Sequence, residues 1–378
     1  MKRNNLCMAL AALAVVFIFL PGGCEKKTAA PPPKRTPGDM VTVRLLTDDS
    51  GIDDKSFNAA AWRGILEYYG DTWTNPGKQG VWYNFVTAAT QDMYVPNLRQ
   101  ATDEGYDLIV AAGFTWADPL AEVAAGNPGQ KYLIVDVGGL ELSNIMQAVY
   151  AEHEGSYLVG MAAALKALED GIRNRRFGFI GGAPDPTITK FEMGYVQGIL
   201  SVIPDAQIID YYVNSWSEPA LAKTQAKNWY DADVYAIYSA AGSSGNGTIA
   251  QAKEYRAAGR NVWAIGVDSD QYVEGLYTEN LSAVLTSMIK RVESSMTYAL
   301  EAVKDGSFSG EVINFDLAKG GVDYSTSNPV LNAAIIARLE TAKQRIINGD
   351  ISVAGTYAEA RQLPGFPQDL KAIDSYDE

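Results

Sequence analysis

From residue 40 onward, short apolar runs rich in β-branched residues alternate with longer stretches that have helical spacing. The runs predict buried strands and the stretches predict amphipathic helices. Strands that alternate with helices form mainly parallel sheets with right-handed crossovers. The predicted strands lie at residues 41–47, 81–86, 108–112, 132–137, 145–148, 177–181, 208–213, 234–239 and 262–267. The predicted helices lie at residues 58–69, 94–104, 116–125, 154–168, 189–200, 218–230, 247–258 and 328–348.

The alternation occurs in two sets, which predicts two similar α/β lobes. The predicted ranges are 41–150 and 272–306 for the N-terminal lobe, 151–268 and 310–355 for the C-terminal lobe, and 356–378 for a tail. Residues 281–290 and the helix after them are expected to return to the first lobe, and residues 312–317 to cross back. About 340 residues are enough for two lobes of ordinary size. A cleft between such lobes is a common place for a small molecule.

The beginning of the chain predicts export. Two basic residues precede fifteen apolar residues, the length of a signal-peptide core and short of the about twenty that cross a membrane. The run ends in Leu-Pro-Gly-Gly-Cys, similar to a bacterial lipobox, so residues 1–23 are expected to be removed and Cys24 to be lipidated. An ordinary secretory signal and a retained anchor are the alternatives. Residues 24–40 are expected to be a disordered tether.

Charge and cysteine content exclude several classes of protein. The formal net charge is −14, and loss of Lys2 and Arg3 with the leader makes it −16, so nucleic acid is not an expected partner. Both cysteines lie at or before residue 24, which leaves no disulfide and no thiol nucleophile in the folded part. The single histidine, His153, excludes a His-rich zinc site and is expected to be structural.

Polar and aromatic residues gather where the predicted strands end, which is where open α/β sheets bind ligands. The loop 47–58 holds four carboxylates, although acids before a helix are more typical of capping when taken alone. Carboxylates accept from hydroxyl or N–H groups, and aromatic rings suit a flat ligand face. The residues that could converge on one gap are Asp48, Phe57, Asn58, Asp136, Trp216, Asp268 and Lys290, with the glycine loop 241–247.

Three catalytic or ion-binding patterns are present only in part. The glycine loop lacks the Gly-Lys-Ser/Thr ending of a phosphate-binding P-loop. Residues 287–290 spell S-x-x-K, but the companion motifs of acyl enzymes are absent. The acidic loop lacks the alternating spacing of an EF-hand. Neither a cofactor nor a metal is therefore expected.

Several segments together resemble the basic membrane protein family of bacterial lipoproteins, of the purine nucleoside receptor type. The matching segments are Asp48 with D-K-S-F-N at 54–58, 132–136, E-G-S-Y-L-V-G at 154–160, F-G-F-I-G-G at 177–182, 241–247, G-V-D-S-D-Q at 266–271 and 286–290. They run in order over roughly residues 41–323. The resemblance implies a type I periplasmic-binding-protein fold that serves an ABC importer.

The resemblance also implies a purine nucleoside stacked between two aromatic rings. Phe57 matches the first position, and Trp216 takes the second, where Phe is commoner. The other matches are Asp268 and Lys290 at ribose-binding positions, Asp48 and Asn58 at first-lobe ligand positions, Asp136 at the position of an acid that reads the base edge, and Gly242 in the glycine loop. Ser50 departs from the family pattern, which often has Gly there.

The expected function is therefore that of a lipid-anchored, monomeric receptor for adenosine, guanosine or inosine that serves an ABC permease. It is expected in the bacterial cell envelope, with its folded part in the periplasm or at the outer surface. One alternative is a receptor for a sugar or another small polar solute. Another is a nucleoside-cleaving enzyme, which would need a general acid and a positioned water. A surface antigen without a ligand is a third.

Overall fold

The computed structural model describes residues 40–374, which form two six-stranded sheets with flanking helices. The strands are β1 (Val43–Thr47), β2 (Tyr83–Thr87), β3 (Leu108–Ala111), β4 (Lys131–Val135), β5 (Ile145–Tyr150), β6 (Arg176–Gly181), β7 (Gln207–Tyr212), β8 (Ala236–Ala240), β9 (Trp263–Asp268), β10 (Val284–Lys290), β11 (Val312–Phe315) and β12 (Val322–Tyr324). The helices are α1 (Phe57–Tyr68), α2 (Tyr94–Glu104), α3 (Ala117–Ala125), α4 (Glu152–Glu169), α5 (Pro186–Leu200), α6 (Pro219–Asp231), α7 (Asn246–Ala257), α8 (Val292–Asp305), α9 (Ala333–Ile347) and α10 (Tyr357–Ala360).

The two sheets have the same topology. Their strand orders are β2-β1-β3-β4-β5-β11 and β7-β6-β8-β9-β10-β12. All described pairs of the first sheet are parallel, and the second departs from this at β10 and β12, which are antiparallel. These observations confirm the predicted two-lobed, mainly parallel α/β fold.

Each sheet is covered on both faces, which explains why the central strands are apolar throughout. In β1, Val43 and Leu45 belong to a core with α1, whereas Leu46 points to the other core, with α2 and α3. In the second lobe, Phe179 packs towards α4 and α5, and Ile180 packs towards α6 and α7. Local periodicity therefore located the strands, mostly within one or two residues.

The predicted places of two late strands are wrong. Residues 281–290 were expected in the first lobe, but β10 pairs with β9 and β12 in the second sheet. Residues 312–317 were expected to cross back, but β11 pairs with β5 in the first sheet. An apolar run predicts a strand without predicting its partner, because strand pairing is non-local. The helix after β10 does return, since α8 packs against α1.

Within residues 40–374, the chain passes between the lobes three times. The passages join β5 to α4, β10 to α8, and β11 to β12. The residues before the first turns of α4 and α8 have nearly the same backbone, with φ −88° and ψ 62° at Ala151 and φ −80° and ψ 68° at Arg291. These passages bring the carboxyl ends of both sheets to one cavity.

The predicted leader, the lipidation site Cys24 and the tether up to residue 39 lie outside the described residues. Within residues 40–374, no helix is long and apolar enough to cross a bilayer. The predicted tail is described as far as residue 374 and lies against the second lobe. There Thr189 Oγ1 donates to the carbonyl of Ile373 at 2.6 Å, and Phe366 and Leu370 are buried.

Candidate functional site

A cavity of about 550 Å³, part of it open to solvent, lies where the strand ends of the two lobes meet. All eight ligand-binding candidates line it. They are Asp48, Phe57, Asn58, Asp136, Trp216, Gly242, Asp268 and Lys290. The fold thus brings together residues that are far apart in the sequence, while their contact with a ligand remains a prediction. His153 is not part of this lining and lies half-buried beside Gly355.

The acidic loop after β1 contains both a helix cap and a cavity wall. Asp54 is the cap: its Oδ1 accepts from the backbone N–H groups of Ser56 and Ala59, both at 2.9 Å, and its Oδ2 accepts from that of Asn58 at 2.8 Å. Burial raises the pKa of Asp54 to about 7. The capping interpretation is therefore correct for this residue, although its side chain also borders the cavity.

Asp48 and Asn58 form a hydrogen-bonded pair at the cavity wall. Asn58 Nδ2 donates to Asp48 Oδ1 at 2.9 Å, and the Ser50 backbone N–H donates to the same oxygen at 3.0 Å. Burial raises the pKa of Asp48 to about 6 despite these bonds. Asn58 Oδ1 is buried and has no hydrogen-bond partner within residues 40–374. The pair therefore offers acceptor oxygens to a donor-bearing ligand.

Lys290, the last residue of β10, is a buried cation between carboxylates. Its Nζ lies 2.5 Å from Asp136 Oδ1 and 3.0 Å from Glu152 Oε1, and the side chain is 1% exposed. Burial alone would lower the pKa of Lys290, but Asp136, Glu152 and Asp268 outweigh burial and raise it. The side chain is therefore protonated at neutral pH.

Two of the carboxylates around Lys290 occupy equivalent positions in the two lobes. Asp136 follows β4 with φ 70°, and Asp268 ends β9 with φ 63°. This left-handed backbone is uncommon for a residue other than glycine. Burial raises the pKa of Asp136 to about 7, although Lys290 opposes the shift, and burial also raises the pKa of Asp268. Asp268 Oδ2 accepts a hydrogen bond from Ser56 Oγ of the first lobe at 2.5 Å.

Glu152 completes this cluster from the start of α4. Its Oε2 lies 3.3 Å from Lys190 Nζ, and its side chain is fully buried. Burial would raise the pKa of Glu152, but the charges of Lys190 and Lys290 outweigh burial and lower it. Glu152 is therefore ionised and helps to hold Lys290 in place.

Aromatic rings reach the cavity from both lobes. Phe57, in the first turn of α1, and Phe191, in α5, lie with their ring centroids 5.1 and 5.4 Å from Lys290 Nζ. The Trp216 ring lies directly over Gly182, where a Cβ atom would come within 2.0 Å of Trp216 Cζ3, so only glycine fits there. Phe114 meets the Trp216 ring edge-on, with centroids 5.7 Å apart.

Sequence reasoning missed three residues that shape this site: Glu152, Phe114 and Phe191. Phe114 could have been found, because it directly follows a glycine at a strand end. Glu152 resembles an ordinary acid in the first turn of a helix, and Phe191 resembles a core residue of α5. Within residues 40–374 there is no group of three or more His, Cys, Asp or Glu side chains arranged to hold a metal ion.

The sequence model of the Bmp family, described as ABC transporter substrate-binding protein PnrA-like, matches residues 41–356. The chain belongs to this family. It is 33% identical to the CD4+ T-cell-stimulating antigen of Listeria innocua, with 93% of this chain and 99% of the relative covered. It is 32% identical to the ABC transporter nucleoside-binding protein BmpA of Lactococcus lactis, with the same coverage.

A solved structure shares the fold. The solute-binding protein of an ABC transporter system from Aeropyrum pernix superposes with a TM-score of 0.73 at 25% identity, covering 85% of this chain and 96% of that one. These similarities confirm the family resemblance. This Bmp-family protein is thus a substrate-binding protein of an ABC transporter, and its family is not a class of enzymes.

Proposed function

We propose that this Bmp-family protein binds purine nucleosides in the interlobe cavity and delivers them to an ABC permease. The observation that carries the proposal is the combination, in one cavity, of aromatic rings from both lobes with buried carboxylates and a protonated lysine. A nucleoside has a flat base and a sugar rich in hydroxyl groups. Stacking of the base on an aromatic ring contributes about 1–3 kcal/mol, and carboxylates form charge-assisted bonds with the hydroxyl groups.

The charges favour a neutral ligand. Asp48, Asp136 and Asp268 line the cavity together with Lys290, whose charge is already engaged by Asp136 and Glu152. A phosphate group would meet more negative than positive charge there. We therefore infer that nucleosides are bound in preference to nucleotides.

We assign the two ends of the ligand to different groups of residues. The Asp48–Asn58 pair reads the base edge, because it offers acceptors to N–H groups of the base. Asp268 and Lys290 bind the ribose. Asp136, which the family resemblance places at the base edge, is ion-paired with Lys290. That contact supports an additional role in orienting the lysine towards the sugar.

We also propose that Cys24 carries the lipid that anchors this monomer in the cell envelope. The ligand class is supported by the similar protein of Lactococcus lactis, which is named as a nucleoside-binding protein. Replacing Cys24 by Ser should move the protein from the membrane fraction to the soluble fraction. Retention of Cys24→Ser in the membrane fraction would contradict the lipid anchor.

The ligand proposal is tested by calorimetric titration of the purified protein, after removal of any bound ligand, with guanosine, inosine, adenosine, ribose and arabinose. We expect binding of nucleosides and no heat with the free pentoses. Heat with a pentose and none with any nucleoside would instead indicate a sugar receptor. Release of free base from inosine would indicate an enzyme, and an absence of any ligand would favour a surface antigen.

A further inference from the structure

Ser50 and Trp216 are far apart in the sequence but meet in the folded protein. Ser50 lies in the loop after β1, and Trp216 lies in the loop after β7. Ser50 Oγ donates a hydrogen bond to the Trp216 carbonyl at 3.0 Å. The bond joins the first lobe to the second at the residue that carries a cavity ring.

The Trp216 carbonyl also accepts two hydrogen bonds from its own lobe. Ser243 Oγ donates at 2.8 Å, and the Ser244 backbone N–H donates at 2.9 Å. Gly242, with φ 54°, leaves room for this arrangement, because a Cβ there would lie 3.3 Å from the carbonyl and 3.4 Å from Ser50 Oγ. Among the described donors to this carbonyl, Ser50 is the one that belongs to the opposite lobe.

The same first-lobe loop contacts the second lobe at neighbouring points. Asn246 Nδ2 donates to the Asp54 carbonyl at 3.0 Å, and Gln271 Nε2 donates to the Lys55 carbonyl at 3.1 Å. These contacts hold the loop near α7 and the end of β9. The Ser50 contact differs from them because its acceptor belongs to the residue whose ring lines the cavity.

We propose that Ser50 is a positioning residue that couples lobe closure to the placement of the Trp216 ring. Its O–H···O bond connects residues of different lobes, so it forms when the lobes close and breaks when they open. While formed, it holds the main chain of Trp216 and with it the ring over Gly182. The role rests on the proposed nucleoside function, and its direct consequence is slower release of the ligand.

The test compares Ser50→Ala and Ser50→Gly with Ser243→Ala, which removes a donor to the same carbonyl from within one lobe. Stopped-flow measurement of tryptophan fluorescence with inosine separates the association and dissociation rates. Loss of one hydrogen bond predicts dissociation roughly two- to tenfold faster for the Ser50 variants, with association nearly unchanged. Dissociation equal to that of the parent protein would overturn the proposal.

A second measurement needs no ligand. Residues 24–378 with Cys24→Ser contain no other cysteine, so spin labels at Asp103→Cys in α2 and Asn228→Cys in α6 report the distance between the lobes. We expect longer distances in the Ser50 variants and none of this change in Ser243→Ala. Equal effects of the Ser50 and Ser243 variants on both readouts would overturn the coupling. If the parent protein binds no nucleoside, the ligand proposal fails. The distances between the spin labels still test whether the Ser50–Trp216 hydrogen bond holds the lobes together.

Discussion

The first and second lobes can be compared position by position, because their sheets have the same strand order. After β4 and at the end of β9, both lobes place an aspartate with a positive φ, Asp136 and Asp268. At the ends of β5 and β10 they differ, with Tyr150 in one lobe and Lys290 in the other. After β1 comes an acidic loop, whereas after β6 comes Gly182, against which Trp216 packs.

This difference shows how one architecture, used twice, makes a site that neither lobe could make alone. The shared strand order determines where side chains reach the cavity, and their identity decides what each lobe contributes. The first lobe supplies the acceptor pair Asp48–Asn58, and the second supplies the cation Lys290. That cation is neutralised across the lobes, by Asp136 on one side and Glu152 on the other.

The largest effect is expected from Lys290→Met, which removes the contribution that distinguishes the second lobe. Buried carboxylates lose their counter-charge, so we expect a loss of about 3–5 kcal/mol in unfolding free energy at pH 7. Nucleoside affinity should fall at least about 30-fold. Urea unfolding should show a smaller loss at pH 5 than at pH 7, because burial raises the pKa of Asp136 and lower pH neutralises its carboxyl.

The control for this variant is Lys227→Met on α6, which breaks an exposed ion pair with Asp231. Exposed pairs contribute little, so the change in unfolding free energy should stay below about 1 kcal/mol. Similar losses for both lysine variants would contradict a special role for the buried cation.

Phe57→Ala and Trp216→Ala each remove one cavity ring, the first from the N-terminal lobe and the second from the C-terminal lobe. We expect each to weaken inosine binding at least tenfold, because a stacked base contributes about 1–3 kcal/mol. Phe308→Ala is the control, because that half-buried ring packs on the core and does not line the cavity. If one of these two variants binds inosine with an unchanged dissociation constant, the base stacks only on the ring of the other lobe.

Asp268→Asn should separate ribose recognition from base recognition. A neutral amide forms weaker bonds than a carboxylate, so inosine affinity should fall roughly fivefold. Binding of the free base hypoxanthine should be nearly unchanged. Asp48→Asn is the matched variant from the other lobe and should weaken both ligands alike. Equal losses of nucleoside and base in Asp268→Asn would go against its assignment to the sugar.

An effect of similar size is expected from a change of pH. Burial raises the pKa of Asp48 to about 6. The carboxylate accepts from the base, so the contribution of Asp48 to guanosine affinity should be constant well above that value and fall as the pH drops through it. From pH 7.5 to pH 5 we expect a loss of roughly two- to tenfold, measured by calorimetry. Asp48→Asn should remove the decline below pH 6.5, and persistence of that decline would assign it to another group.

Local signals in the sequence predicted the fold class and most elements. The spacing of apolar residues in 94–104 predicted α2 with the bounds that the structure has. Local signals did not predict which sheet contains β10 and which contains β11, because that depends on pairing with strands distant in the sequence. Lys290 and Asp136 illustrate the same limit, because they are 154 positions apart and in direct contact.

The amino-acid sequence was sufficient to identify the residues at strand ends and their chemistry, because strand and helix propensities act over a few neighbouring residues. Capping by an acid before the helix could be expected from the sequence and holds for Asp54, but the folded structure was needed to show that Asp48 pairs with Asn58 at the cavity wall. The folded structure also decided that Glu152 belongs to the Lys290 cluster. The physical reason is that burial and the distance between charges set the protonation and partners of these groups, and both exist only once the lobes have folded together.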